Sequence, residues 1–220
     1  MDLVTEIRRR FAEGGDPVRA AGQKAYMKSD MDFYGFTTDE MRRIVRAVAK
    51  ECDPDLAQID SASRQLFDEA TFREERYAAI ALTGLKPALG QLSLVPLHEH
   101  QALTGAWWDF VDEIAHRIRV LHDTHPEETG RIVRGWSRAE SFWLRRLSII
   151  SQLQRGHDTD TELLTEVIET NSADKEFFIR KAIGWALRDF ARTNPDWVLN
   201  YANTHDLSPL SRREALKHIG

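Results

Sequence analysis

The chain has a single cysteine, Cys52, among its 220 residues. That scarcity excludes an internal disulfide framework and a cysteine-rich zinc site, and it suits a reducing compartment. His98 with His100, and His122 with His125, have spacings that metal sites use, but no cysteine supports them, so no metal site is expected. No apolar run approaches the roughly 20 residues of a membrane span. The first ten residues include Asp2, Glu6, Arg8, Arg9 and Arg10, which leaves no apolar signal segment, so a cytoplasmic protein without a membrane partner is expected. Strict alternation of apolar and polar residues is missing over any stretch long enough for a half-buried strand, which argues against a sheet. Linkers rich in Gly, Pro or Ser are also missing, so residues 1–220 are read as one domain, and a monomer is the simplest expectation. With a net charge of -5 and a pI near 5.9, the chain has no overall excess of positive charge for coating nucleic acid, although a local basic groove fits inside such a total.

What is present is helical periodicity. Apolar residues recur at three and four residue intervals through nearly every segment, and the expected class is all-α. Helices are predicted near 3–13, 17–29, 37–52, 61–70, 72–85, 92–103, 107–122, 126–136, 142–155, 161–171, 176–192, 195–204 and 209–219. Thr37 and Glu40 are spaced as a capping box for the third, and Pro54, Pro87, Pro126, Pro195 and Pro209 mark joints. Phe72, Trp107, Phe142 and Phe177 follow one another at 35-residue intervals, each at the start of a predicted helix. A helical pair repeated at that period cannot bury its apolar stripe alone and stacks on its neighbours. The architecture expected is a HEAT-like helical-repeat solenoid with a concave cleft, each unit an outer helix followed by an inner one.

Charge separates by layer in the later repeats. The inner segment 142–155 holds Arg145, Arg146 and Arg155 without an acid, and 177–192 holds Arg180, Lys181, Arg188 and Arg192 against Asp189 alone. Between them, Asp158, Asp160, Glu162, Glu166, Glu169, Asp174 and Glu176 face Lys175 alone. Ordinary solvated helix faces give such patterns; so does a basic groove for a polyanion on an otherwise acidic body.

The stretch Trp107-Trp108-Asp109-Phe110-Val111-Asp112 is chemically the most suggestive. Trp108 and Asp112 are four residues apart, so on a helix an indole face and a carboxylate project from one surface, which suits a cationic, planar or sugar-like target. The plainer alternative is that both tryptophans pack in the core and Asp112 is solvated. Trp107 lines up with Val111, Ile114 and Ile118 and is assigned to the core; Trp136 and Trp197 are read as packing anchors and Cys52 as a small buried residue. In the 35-residue register, Trp185 shares the helical column of Asp112 two repeats later. Arg146 falls with Phe142, Ile149 and Leu153, and a guanidinium among apolar neighbours needs an acceptor, for which Asp112 and a phosphate are both candidates.

The order of these blocks resembles the AlkD-type alkylpurine DNA glycosylases, HEAT-like DNA alkylation-repair proteins. The resemblance is carried by Ala25-Tyr26-Met27-Lys28 with Phe33-Tyr34-Gly35, by the Trp107–Asp112 stretch, by Trp143-Leu144-Arg145-Arg146, and by Lys175 through Trp185. Thr193-Asn194-Pro195 and the run from Leu207 to Ala215 complete it, so it spans almost the whole chain. It implies hydrolysis of the N-glycosidic bond of cationic N3- or N7-alkylpurines in double-stranded DNA, with no metal or organic cofactor and without base flipping. Position by position, Asp112 matches the catalytic acid, Trp108 and Trp185 its aromatic partners, and Arg146 the active-site arginine, with Arg145 adjacent as a second candidate for the cleft. Tyr26, Lys28, Arg145, Arg180, Lys181 and Arg188 are the expected DNA contacts. A second reading, from a different class, is a non-catalytic HEAT-like module that binds damaged or branched DNA, or a protein partner, through the same groove.

Overall fold

A computed structural model describes residues 2–219, which form thirteen α-helices, two short 3-10 helices and no strand. None of these helices is long and apolar enough to cross a membrane. The described residues gather into two compact units that meet in the chain at Leu97 and His98.

The first unit opens with α1 (Leu3–Gly14), capped by Asp2 and burying Leu3, Val4, Ile7 and Phe11 along one face. α2 (Pro17–Met27) starts at a proline behind the Asp16 cap and stops where Lys28 turns left-handed at φ 50°. α3 (Thr38–Cys52) has the expected capping box of Thr37 and Glu40 and ends at Cys52, which is partly exposed. α4 (Leu56–Asp68) begins five residues before the predicted start, because Asp55 and Gln58 form a second capping box. α5 (Arg73–Leu82) follows Phe72, its N-cap residue. The loop from Lys28 to Thr37 is ordered by one buried acid. Glu74, 1% exposed, accepts backbone N–H groups from Tyr34 at 3.0 Å, Gly35 at 2.8 Å and Phe36 at 3.2 Å. Gly35 has φ +98°, and a Cβ there would lie 2.0 Å from the Asp16 carbonyl oxygen, so only glycine lets the loop meet the start of α2.

A 3-10 turn at Leu92–Leu94 leads into α6 (Val95–Gly105), and the second unit continues with α7 (Trp108–Thr124), α8 (Pro126–Ser137), α9 (Phe142–Ile150), α10 (Thr161–Asn171), α11 (Phe177–Phe190), α12 (Pro195–Thr204) and α13 (Pro209–Ala215). α9 packs between α7 and α11; α8 packs on α7 and α9, α10 on α8 and α9, and α13 on α11. This alternation is the helical repeat expected from the 35-residue period. Phe110, Ile114 and Ile118 of α7 and Leu147 of α9 are fully buried, each such side chain contributing roughly 1.5–3 kcal/mol. α9 is shorter than predicted: Gln154 turns left-handed at φ 65° and gives its N–H to Asp189 Oδ2 at 2.6 Å, which ends the helical course. Trp136 is 4% exposed and donates Nε1–H to Glu99 at 2.6 Å, whereas Trp197 is only partly buried, edge-on to Phe190 and stacked on Tyr201. His98 and His122 are core residues of this unit, and burial pushes both imidazoles down to about 4.

Candidate active site on three stacked helices

Helices α7, α9 and α11 bring Asp112, Arg146 and Trp185 to one place. Asp112 stands one helical turn after Trp108 on α7, and Arg146 comes from the middle of α9, where only 5% of it is exposed. Each of its three guanidinium nitrogens makes a hydrogen bond: Nε donates to Asp112 Oδ1 and Nη2 to Oδ2, both at 2.9 Å, and Nη1 donates to the Phe178 carbonyl oxygen at 2.8 Å. The fork geometry of arginine is what allows two oxygens and a backbone carbonyl to be held at once. Asp112, one of the two acceptors considered for Arg146 in the sequence, is thus hydrogen-bonded to it.

Aromatic rings line the same corner. The rings of Trp185 and Phe178 each have their centroid 6.0 Å from Arg146 Cζ. Phe178 packs against Trp143 at 5.1 Å between centroids and edge-on to Trp107 at 6.0 Å, and it lies parallel to Phe142 at 6.4 Å. The repeat explains the cluster, since Trp108, Trp143 and Phe178 hold equivalent positions at 35-residue spacing and open three successive inner helices. Trp107, assigned to the core from periodicity, is partly exposed and belongs to this cluster. Trp108 is also partly exposed, at the first position of α7. Phe178 is the participant that sequence reasoning did not single out, although its register with Trp108 was the available signal.

Burial decides the electrostatics. The Asp112 carboxyl has 16% of its side-chain surface exposed, and loss of solvent pushes its pKa up to about 6. The charge and hydrogen bonds of Arg146 pull the other way, and nearby Asp109 adds slightly to the rise. At neutral pH the group is a carboxylate. Each of its oxygens offers two lone-pair directions, so the bidentate arginine leaves acceptor capacity for a water or a cation on the open side.

The cations expected to contact DNA are held differently. Arg145 points away from Asp112: Nη1 donates to the Ala139 and Glu140 carbonyl oxygens at 2.7 and 2.6 Å, and Nη2 to Asp174 at 2.9 Å. Lys181 and Arg188 both reach Glu214, at 3.1 and 2.6 Å. Arg180 has its Nε buried without a hydrogen-bond partner and sits in the field of Asp174. In the first unit, Tyr26 is 77% exposed near the end of α2, and Lys28 is exposed just after it.

Comparison with known proteins agrees with this fold. A family model described as DNA alkylation repair enzyme matches residues 7–219. Among solved structures, a predicted DNA alkylation repair enzyme from Enterococcus faecalis superposes with a TM-score of 0.83 at 31% sequence identity, covering 94% of this chain and 97% of that one. No curated protein matches. The chain belongs to the DNA alkylation repair enzyme family.

Proposed function

We propose that the protein is a monofunctional DNA glycosylase that hydrolyses the N-glycosidic bond of N3- or N7-alkylated purines in duplex DNA and leaves an abasic site. The observation that carries this reading is a largely buried carboxylate, Asp112, held in bidentate fashion by Arg146 beside the rings of Trp185 and Phe178. Alkylation at N3 or N7 makes the purine a cation, so it departs as a neutral base with little need of a general acid. The positive charge passes to the deoxyribose as an oxocarbenium ion. Asp112 as carboxylate favours that ion and orients a water toward the anomeric carbon, the role of one of the two carboxyl groups in glycoside hydrolysis. Trp108 and Trp185 offer indole faces to the cationic base or sugar, each contact worth about 0.5–2 kcal/mol according to desolvation.

Arg146 acts through Asp112: with two of its nitrogens on the carboxylate oxygens and the third on the Phe178 carbonyl, it fixes the carboxylate and favours its charged form. With Asp112 able to orient a water, the reading is hydrolysis by water without a Schiff base or strand cleavage. The resemblance further implies that the lesion is processed within the base stack, without the extrusion common among glycosylases. The test is incubation with duplex DNA containing N7-methylguanine, followed by alkali to cleave abasic sites. Release of the methylated base with strand breaks only after alkali is the expected result. No release at micromolar protein would leave a non-catalytic module that binds damaged or branched DNA or a protein partner.

A further inference from the structure

Glu214 on α13 is placed between two cations of α11. Its Oε1 lies 3.1 Å from Lys181 Nζ, and its Oε2 accepts from Arg188 Nη1 at 2.6 Å. Lys181, Gly184 and Arg188 occur at intervals of three and four residues, so they share one face of α11. Gly184 makes the arrangement possible. A Cβ at that position would lie 2.4 Å from Glu214 Cβ and 2.9 Å from the Ser211 carbonyl oxygen, so α13 crosses α11 at the only kind of residue that admits it. Ser211 fastens the crossing by donating Oγ–H to the Arg180 carbonyl oxygen at 2.9 Å. The Glu214 side chain is 16% exposed, against 38% for Lys181 and 22% for Arg188, so the acid lies deeper than the charges it holds.

We propose that Glu214 is a specificity-determining residue, an internal substitute for phosphate that withholds Lys181 and Arg188 from undamaged DNA and yields them only to a duplex seated against α11. The inference rests on the glycosylase reading in one respect, that α11 faces the duplex. A repair protein meets a large excess of undamaged DNA, and every cation left unpaired on its binding face raises affinity for all sequences alike, because phosphate contacts carry no information about the lesion. An acid fixed among those cations is a repulsive element that lowers affinity for the competitor, a common route to specificity. Binding then exchanges a carboxylate for phosphate oxygens on the same two side chains, and α13 moves only as far as the Glu214 side chain must.

The experiment measures affinity of the full chain for an undamaged duplex over a salt series, separately from base release. Glu214→Gln keeps the shape that fits over Gly184 and removes the charge. It is expected to bind at least about threefold more tightly, with a slope of log affinity against log salt steeper by about 1 to 2, as one or two added phosphate contacts require. Glu214→Asp, one methylene shorter, reaches one cation at most and is expected between wild type and Gln. Replacing Lys181 and Arg188 by glutamine in the Glu214→Gln chain must abolish the gain. Unchanged or weaker binding by Glu214→Gln, or a gain that survives loss of both cations, overturns the proposal. Base release by the wild type reports on the glycosylase reading alone, so a failure of either inference is recognised without the other.

Discussion

Arg146 holds both oxygens of Asp112, Nε to Oδ1 and Nη2 to Oδ2, each at 2.9 Å, while 34 residues separate the two in the chain. The pair is poised between opposing effects. Burial favours the neutral acid and the guanidinium favours the carboxylate, with the balance near pH 6. This places the switch between the two forms just below physiological pH.

Activity should follow that balance. If the carboxylate is the working form, base excision rises about tenfold per pH unit below 6 and levels off above about 7. The same shift makes a statement about stability. Asp112 binds its proton more tightly when folded than the ordinary 3.8, so its contribution is fully present below pH 3.8 and is lost as pH rises through about 6. The loss is on the order of 3 kcal/mol. Unfolding in urea across pH 3.5 to 7 should show this slope in the wild type, and Asp112→Asn should lack it.

Asp112→Asn should also separate chemistry from binding. The amide keeps the shape and one acceptor for Arg146, but it cannot favour a sugar cation, so excision should fall by about 100-fold or more. Undamaged duplex should bind as before. Arg146 is left partly uncompensated in its buried position, at a cost of roughly 1–3 kcal/mol, which a urea titration would read. Equal loss of excision and binding would show that Asp112 is structural only.

Arg146→Lys is the sharper test of the arrangement. Lysine retains the charge and loses the planar fork, so it cannot satisfy both Asp112 oxygens and the Phe178 carbonyl oxygen together. Weaker support for the carboxylate should move the acid limb of the pH profile to higher pH, with the salt dependence of DNA binding unchanged. The opposite pattern, a fixed acid limb with a shallower salt slope, would mean that this arginine meets phosphate instead.

Much of this was legible in the sequence where neighbouring residues set the outcome. Thr37 and Glu40 cap α3 as their spacing indicates, and Phe72, Trp107, Phe142 and Phe177 open or cap four helices as the 35-residue register indicates. Arg146 was visible as a guanidinium in need of an acceptor, with Asp112 and a phosphate as the two candidates. What the sequence hid depends on partners far along the chain. Arg145 and Arg146 are adjacent and alike in type, and their partners separate them: two backbone carbonyls and Asp174, 29 residues on, hold Arg145, whereas Asp112, 34 residues back, takes Arg146. The third acceptor of Arg146 is a backbone carbonyl, which no residue type announces. The basic row on α11 read as unpaired because Glu214 arrives from a helix two elements later.

Gly184→Ala tests that late-arriving helix. Within a helix, alanine is favoured over glycine by about 1 kcal/mol, and an exposed site would gain stability from the change. Here the added methyl meets Glu214 Cβ at 2.4 Å and the Ser211 carbonyl oxygen at 2.9 Å, and neither is the far end of a flexible side chain. α13 must therefore move off α11, stretching the Glu214 bridges and the Ser211 bond to the Arg180 carbonyl together. Overpacking of this kind costs about 1–3 kcal/mol, which outweighs the helical gain. The variant should unfold at lower urea than the wild type, with amide exchange in α13 accelerated more than in α7. A stability equal to or above that of the wild type would mean that α13 is not held to α11 at Gly184.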